Sequence, residues 1–223
     1  MNTKGLKSHL NPFDFFDKIY CISASTRQVK RARATRQFEQ IGILDRVVFF
    51  DAIMRDPSWV GCRESHRACI RKAKDSGAEN VLIFEEDVFL LHRDFSALDS
   101  ALNSLSKFDW EVFTLGQSVH RVIKHISENL CLVKGSLNHA YALHKRCWDE
   151  VLDFPDTDEC FDAEDDLRTG GLVRSRKGLN KVYNKSRLDP FMSYRFEKYM
   201  IKPIMAIQPD NPSTLRKYYN LVV

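Results

Sequence analysis

Three consecutive carboxylates, Glu85-Glu86-Asp87, stand between the apolar runs Val81-Leu82-Ile83-Phe84 and Val88-Phe89-Leu90-Leu91. Apolar runs of this kind pack inside a sheet, where uncompensated charge is very costly. The carboxylates must therefore meet positive groups or emerge where the strand ends. In an open α/β sheet the carboxyl end of a strand opens into the ligand crevice, and an oxygen-only set there suits a hard divalent cation such as Mg²⁺ or Mn²⁺. Side chains alternate along a strand, so Glu85 and Asp87 share one side and Glu86 takes the other. Taken alone, the triplet reads equally as a solvated acidic turn behind a buried strand.

Other residues carry chemistry less directly. Asp51 closes the apolar run Val47-Val48-Phe49-Phe50, where early strands of nucleotide-binding sheets meet a base or ribose. Cys62, His66 and Cys69 fall on one helical stripe with Trp59 and Ala73, which allows a zinc site, yet structural zinc wants four ligands and the neighbouring sequence offers no fourth. That stripe reads as core, and Arg63, Arg67, Arg71 and Lys74 form the adjacent basic stripe. His66 is thus either a satisfied core histidine or a group near a bound ligand. Arg27, Lys30, Arg31, Arg33 and Arg36 form a basic helix surface, with Arg31 alternatively a diphosphate partner.

The stretch 156–166 contains Asp162, Asp165 and Asp166, each able to take a proton from a hydroxyl group, or it is an acidic loop leading to Gly170-Gly171. Basic residues from 174 to 202 interleave with Tyr183, Phe191, Tyr194, Phe196 and Tyr199. Phosphate contacts and stacking would suit nucleic acid, but an acceptor-side or membrane-surface patch is more economical, with a solvated surface as the plain alternative.

The elements that must position these residues follow from hydrophobic periodicity. Strands are expected at 18–23, 47–52, 80–91 and 111–116, and helices at 26–41, 58–76 and 95–105, with Gly42 and Gly77 as stops. Short strands at 130–133 and 139–143 and a helix at 145–153 follow. Alternating strands and helices argue for a parallel sheet in an α/β sandwich. The 223 residues suit one domain, with a donor-binding half near 15–120 and an acceptor half near 121–215. A net charge of +4 is too small for a nucleic-acid-binding tail, so no nucleic-acid partner is expected. Six scattered cysteines without a CxxC pair read as reduced thiols. No signal peptide or membrane-length apolar run is evident, which places the protein in the cytoplasm, with peripheral contact at the inner membrane face through 174–202.

In order, these pieces resemble glycosyltransferase family 25, the lipooligosaccharide and collagen galactosyltransferase group. The resemblance rests on Lys30-Arg31 after the first strand, Phe49-Phe50-Asp51-Ala52, Gly61-Cys62-Arg63-Glu64-Ser65-His66, and the metal motif ending Glu85-Glu86-Asp87-Val88. It continues through Asn138-His139-Ala140-Tyr141-Ala142-Leu143, Phe161-Asp162, and Lys202-Pro203 to Gln208 with Ser213. The family's middle aspartate is Glu86 here, and the long basic C-terminal extension of many members is lacking.

The resemblance implies a GT-A type of nucleotide-binding sheet and a UDP-sugar donor, usually UDP-galactose. It further implies inversion at the anomeric carbon and a saccharide or anionic glycolipid acceptor. Glu85 and Asp87 would hold Mn²⁺ or Mg²⁺. Arg31, Asp51, His66, Glu86 and Gln208 would line the donor site, and Asp162, with Asp165 and Asp166 as competitors, would serve as base. Two rivals stay open: a metal-dependent nucleotidyltransferase or phosphatase using the same acidic strand end, and a catalytically degenerate nucleotide-sugar-binding protein.

Overall fold

Alternating apolar residues commit each central strand to two faces at once, and the helices supply a layer for each. The computed structural model describes residues 11–91, 95–136, 138–153, 160–161, 183–184 and 188–209. Along β1 (Lys18–Ser23), Ile19 and Cys21 enter one core while Tyr20 and Ile22 enter the other. β3 (Asn80–Glu85) divides in the same way, with Leu82 and Phe84 against Val81 and Ile83. The first core is closed by α1 (Gln28–Gln40) and α3 (Ser96–Leu105), and the second by α2 (Ser58–Asp75), α4 (Trp148–Asp153) and α5 (Leu188–Arg195). The result is the expected α/β sandwich.

The remaining strands are β2 (Val47–Asp51), β4 (Phe89–Leu90), β5 (Val112–Thr114), β6 (Ser118–His125), β7 (Leu130–Ser136) and β8 (Ala140–His144). After them come β9 (Cys160–Phe161), β10 (Tyr183–Asn184), β11 (Lys198–Ile201) and β12 (Ala206–Ile207). Among the described residues the central sheet has eight strands in the order β2-β1-β3-β8-β5-β11-β7-β6, in which only β8 and β7 run against the rest. It is therefore mixed and mostly parallel. Strands from both halves of the chain interleave, with β8 between β3 and β5.

Several expectations need correction. The 80–91 strand ends at Glu85, where Val88 N–H donates to the Glu85 carbonyl in a tight turn, and β4 pairs with β12 in a separate ribbon. The lead before β1 also contributes to the first core, where Phe13 and Phe16 are fully buried. Arg63, assigned to a basic stripe, is buried and lies over the Trp59 ring. Cys62, assigned to the core stripe, is exposed. Lys198, counted in a basic surface, is fully buried with its ammonium donating to Asn138 Oδ1 and Ser193 Oγ, each at 3.0 Å. Burial pulls the Lys198 ammonium down to about 8. β6, β11 and α5 were not expected. β6 in particular carries register shifts between Val119 and Arg121 and between Val122 and Lys124, which break the alternation that announces a strand.

Gly42 and Gly77 end α1 and α2 with positive φ, as their sequence positions suggest. No helix among the described residues is long and apolar enough to cross a membrane.

Candidate active site

The parallel register of β2, β1 and β3 brings three carboxyl ends into one row. Ser23 is level with Asp51, and Ile22 with Glu85. Strand parity places Glu85, and the tight turn that follows it places Glu86 and Asp87. Glu85 continues the Val81-Ile83 side and faces α2, where its Oε1 lies 3.2 Å from His66 Nε2. Glu86 takes the other side and is buried at the start of α1. There it accepts from Ser23 Oγ at 2.8 Å, Ala24 N–H at 3.1 Å and Arg27 at 3.2 Å. Both Glu86 oxygens are thus used within the protein. Glu86, one of the residues expected to line the donor site, thereby clamps the β1–α1 loop.

Asp87 returns to the Glu85 side. Gln208 Nε2 donates to Glu85 Oε2 and to Asp87 Oδ1, each at 3.0 Å. Lys30 approaches Asp87 at 3.7 Å. Each member of the triplet therefore has its own positive neighbour: His66 for Glu85, Arg27 for Glu86 and Lys30 for Asp87. Burial works against the imidazolium of His66, but the Cys62 sulfur and the Glu85 carboxylate outweigh it and push the ring up to about 10. The other ring nitrogen, Nδ1, lies 3.0 Å from the Tyr141 hydroxyl, which burial keeps neutral.

Gln208 comes from a distant segment whose path is tightly specified. Met205 and Ala206 N–H both donate to the Leu115 carbonyl, and Leu91 N–H donates to Met205 O. His139, neutral because burial lowers its pKa, donates Nε2–H to Ala206 O at 3.2 Å, while its own carbonyl accepts from Glu85 N–H. Gly116 lies against the Ala206 backbone, where a Cβ would overlap the carbonyl oxygen and stand 3.0 Å from the carbonyl carbon. Gln37 fixes the chain beyond the acidic turn by donating to Val88 O and accepting from Leu90 N–H.

The Gly-Cys-x-x-Ser-His segment divides its labour. Gly61 lets α2 approach the Ile53 carbonyl, and Ser65 Oγ accepts from Ile53 N–H at 2.8 Å while donating to Gly61 O at 2.7 Å. These two residues anchor the β2–α2 loop. Cys62 and His66 are left to face the site.

Of the expected donor residues, the structure brings Glu85, Asp87, His66 and Gln208 together. Arg31 and Asp51 also meet, but each other: they pair at 3.3 Å, with the Arg31 guanidinium over the Phe49 ring. Asp162, Asp165 and Asp166 lie outside the described residues. Sequence reasoning misses Tyr141, whose role appears only in register opposite Ile83, and Asp189 at the start of α5. Burial raises the Asp189 carboxyl and Lys198 opposes that rise, with Glu85, His66 and His139 also in electrostatic reach. An Asp before a proline at a helix start is too ordinary a pattern to have marked it.

As a donor set, Glu85 and Asp87 suit a hard divalent cation. Their oxygens converge on one amide nitrogen, and the carboxamide that occupies the space between them carries an oxygen ligand on its other arm.

No family model and no curated protein matches the sequence. Solved structures with a related layout include A197 from STIV, at 9% identity and a TM-score of 0.45, covering 84% of this chain and 82% of that one. A glycosyltransferase involved in the glycosylation of the major capsid of PBCV-1 aligns at 10% identity and a TM-score of 0.38, over 60% of this chain and 62% of that one. UDP-glucose pyrophosphorylase complexed with UDP-glucose aligns at 9% and 0.41, over 91% and 78%. Identities and TM-scores this low leave the functional reading to the chain's own residues.

Proposed function

We propose that this chain is a metal-dependent glycosyltransferase of the family 25 kind, built on a GT-A type of donor-binding sheet. It moves a sugar, galactose by resemblance, from a UDP-sugar to a saccharide hydroxyl with inversion. The observation that carries this reading is the convergence of Glu85 and Asp87 on Gln208 at the carboxyl edge of the sheet. These are the segments that resemble the family's metal motif and its closing Pro…Gln…Ser run. Glu85 and Asp87 would hold Mn²⁺ or Mg²⁺, with the Gln208 amide oxygen available after rotation of the carboxamide. A cation held there stabilises the charge that grows on a departing diphosphate.

The chain's own groups supply the rest. Lys30 adds a cation beside Asp87, and Glu86, by holding Ser23, Ala24 and Arg27, fixes the start of the helix that carries it. The acceptor side draws on a saccharide or an anionic glycolipid, with basic residues of 174–202 as its contact surface. Lys198 is buried and does not belong to that surface, whereas Arg195 is exposed and paired there with Glu150.

UDP should raise the melting temperature, and raise it further with Mn²⁺, because a ligand that binds only the folded state stabilises it by mass action. A thermal-shift series with UDP, UDP-sugars and a nucleoside triphosphate, each in Mn²⁺ and in excess chelator, checks this. Identical UDP shifts in metal and chelator would remove Glu85 and Asp87 from a metal role, and stronger protection by the triphosphate would favour nucleotidyl transfer.

The acceptor hydroxyl needs a carboxylate to take its proton. Asp162 fills that role by resemblance, with Asp165 and Asp166 beside it in sequence, while Asp189, whose carboxyl burial raises, is the alternative among the described residues. Asp162→Asn is expected to lower transfer by about 10² or more while sparing UDP binding. Normal turnover in that variant and collapse in Asp189→Asn would move the base to α5.

A further inference from the structure

Beside the oxygen pair lies a second ligand set of different chemistry. Cys62 Sγ, a His66 ring nitrogen and a Glu85 carboxylate oxygen lie within 4.8 Å of one another. We propose that Cys62, His66 and Glu85 form a binding site for a thiophilic divalent ion, zinc above all. The set shares Glu85 with the hard-cation pair, using the carboxylate oxygen that faces His66 where the other faces Gln208, but it differs from that pair in ligand chemistry and does not depend on the transferase reading.

The ligand types carry the assignment first. Thiolate, imidazole and carboxylate together suit zinc, whereas Mg²⁺ and Mn²⁺ prefer oxygen. Cys62 and His66 are four residues apart on α2, and so one turn apart on one face, and Glu85 meets them from the end of β3. No fourth Cys, His, Asp or Glu joins the group among the described residues. Three protein ligands with one position left over is the pattern of a zinc site that keeps an exchangeable ligand.

The surroundings are also built for it. A histidine that binds a metal through one nitrogen normally engages a fixed partner through the other. His66 does so: Nδ1 meets the buried Tyr141 hydroxyl, and Nε2 is the nitrogen turned to Glu85. The Glu85 oxygen not facing His66 is held by Gln208. Gly61 and Ser65, on either side of Cys62, fix this stretch of α2 against the Ile53 backbone. Access comes from the exposed Cys62, while Cys21, Cys69, Cys131 and Cys147 are buried.

Cobalt(II) reports the site, because a thiolate ligand gives a near-ultraviolet charge-transfer band that oxygen and nitrogen ligands do not. The reduced, chelator-treated full chain, with no nucleotide present, should take up one Co²⁺ with that band and lose it when Zn²⁺ is added. Cys62→Ser should abolish the band and weaken Zn²⁺ binding by about 100-fold or more, since even outer hydrogen-bond partners are worth 10–100-fold. Because Cys62 is exposed, the metal-free variant should still fold, as its circular-dichroism spectrum will show. Tyr141→Phe keeps all three ligands and should weaken binding by about 10–100-fold. Absence of the band in the unsubstituted chain, or its survival in Cys62→Ser, would overturn the site. A hard-cation site alone would bind Co²⁺ without the band, so the outcome separates the two centres.

Discussion

Asp87→Asn is expected to lower sugar transfer by about 10²–10³, the scale of removing one well-placed electrostatic stabiliser, and to leave the fold intact. Asparagine keeps an oxygen that can accept from Gln208, so the bond that ties the 204–208 segment to the acidic turn survives. What disappears is one of the two negative charges that converge there. The Mn²⁺-dependent part of the UDP thermal shift should vanish while the melting temperature of the free protein holds. Glu86→Ala should give the reverse. It strips acceptors from the Ser23 hydroxyl and Ala24 N–H and leaves Arg27 without its partner. A loss of about 1–3 kcal/mol is expected, with the Mn²⁺ effect retained in weakened form. Identical profiles for the two variants would refute the division of the triplet between two faces.

Gly116→Ala should produce the larger structural loss. A methyl group there would overlap the Ala206 carbonyl oxygen. Neither partner can swing away, because both are backbone and Ala206 is already held by Leu115 and His139. Overpacking of this kind costs about 3 kcal/mol, which for a chain of this size corresponds to a fall of about 6–12 °C in melting temperature. The displacement would be transmitted two residues onward to Gln208. A thermal scan of the variant with and without UDP and Mn²⁺ tests both parts. An unchanged melting temperature would show that the 205–208 segment yields easily and does not hold Gln208 in place.

The sheet was legible in sequence wherever burial is two-sided or strictly alternating. Tyr20 and Ile22 against Ile19 and Cys21, or Val81 and Ile83 against Leu82 and Phe84, place the strands and their faces without any tertiary information. The expected parting of Glu85 and Asp87 from Glu86 is found, although the strand ends at Glu85 and a tight turn delivers it in place of strand alternation. Parity does not foretell partners that arrive from elsewhere in the chain. His66 meets Tyr141 across 75 residues, and Gln208 meets Glu85 across 123. Charge was the least reliable guide to exposure. Arg63 and Lys198 are buried because an aromatic face and a set of buried oxygen acceptors receive them. A linear count of basic residues cannot register such neighbours. Cys62 shows the converse, an apolar-looking member of a core stripe that the helix turns outward.

The outer strand β6 bears on how the molecule behaves in a crowd. Among the described residues it ends the sheet and pairs only with β7, which leaves its other edge unpaired there. A long, flat strand in that position would template another copy edge to edge. The two register shifts bend β6, and exposed Arg121 and Lys124 place like charges opposite any incoming identical strand. At the other border β2 is only five residues long. The irregularity that hides β6 from a sequence reader thus also disfavours edge-to-edge pairing with an identical strand.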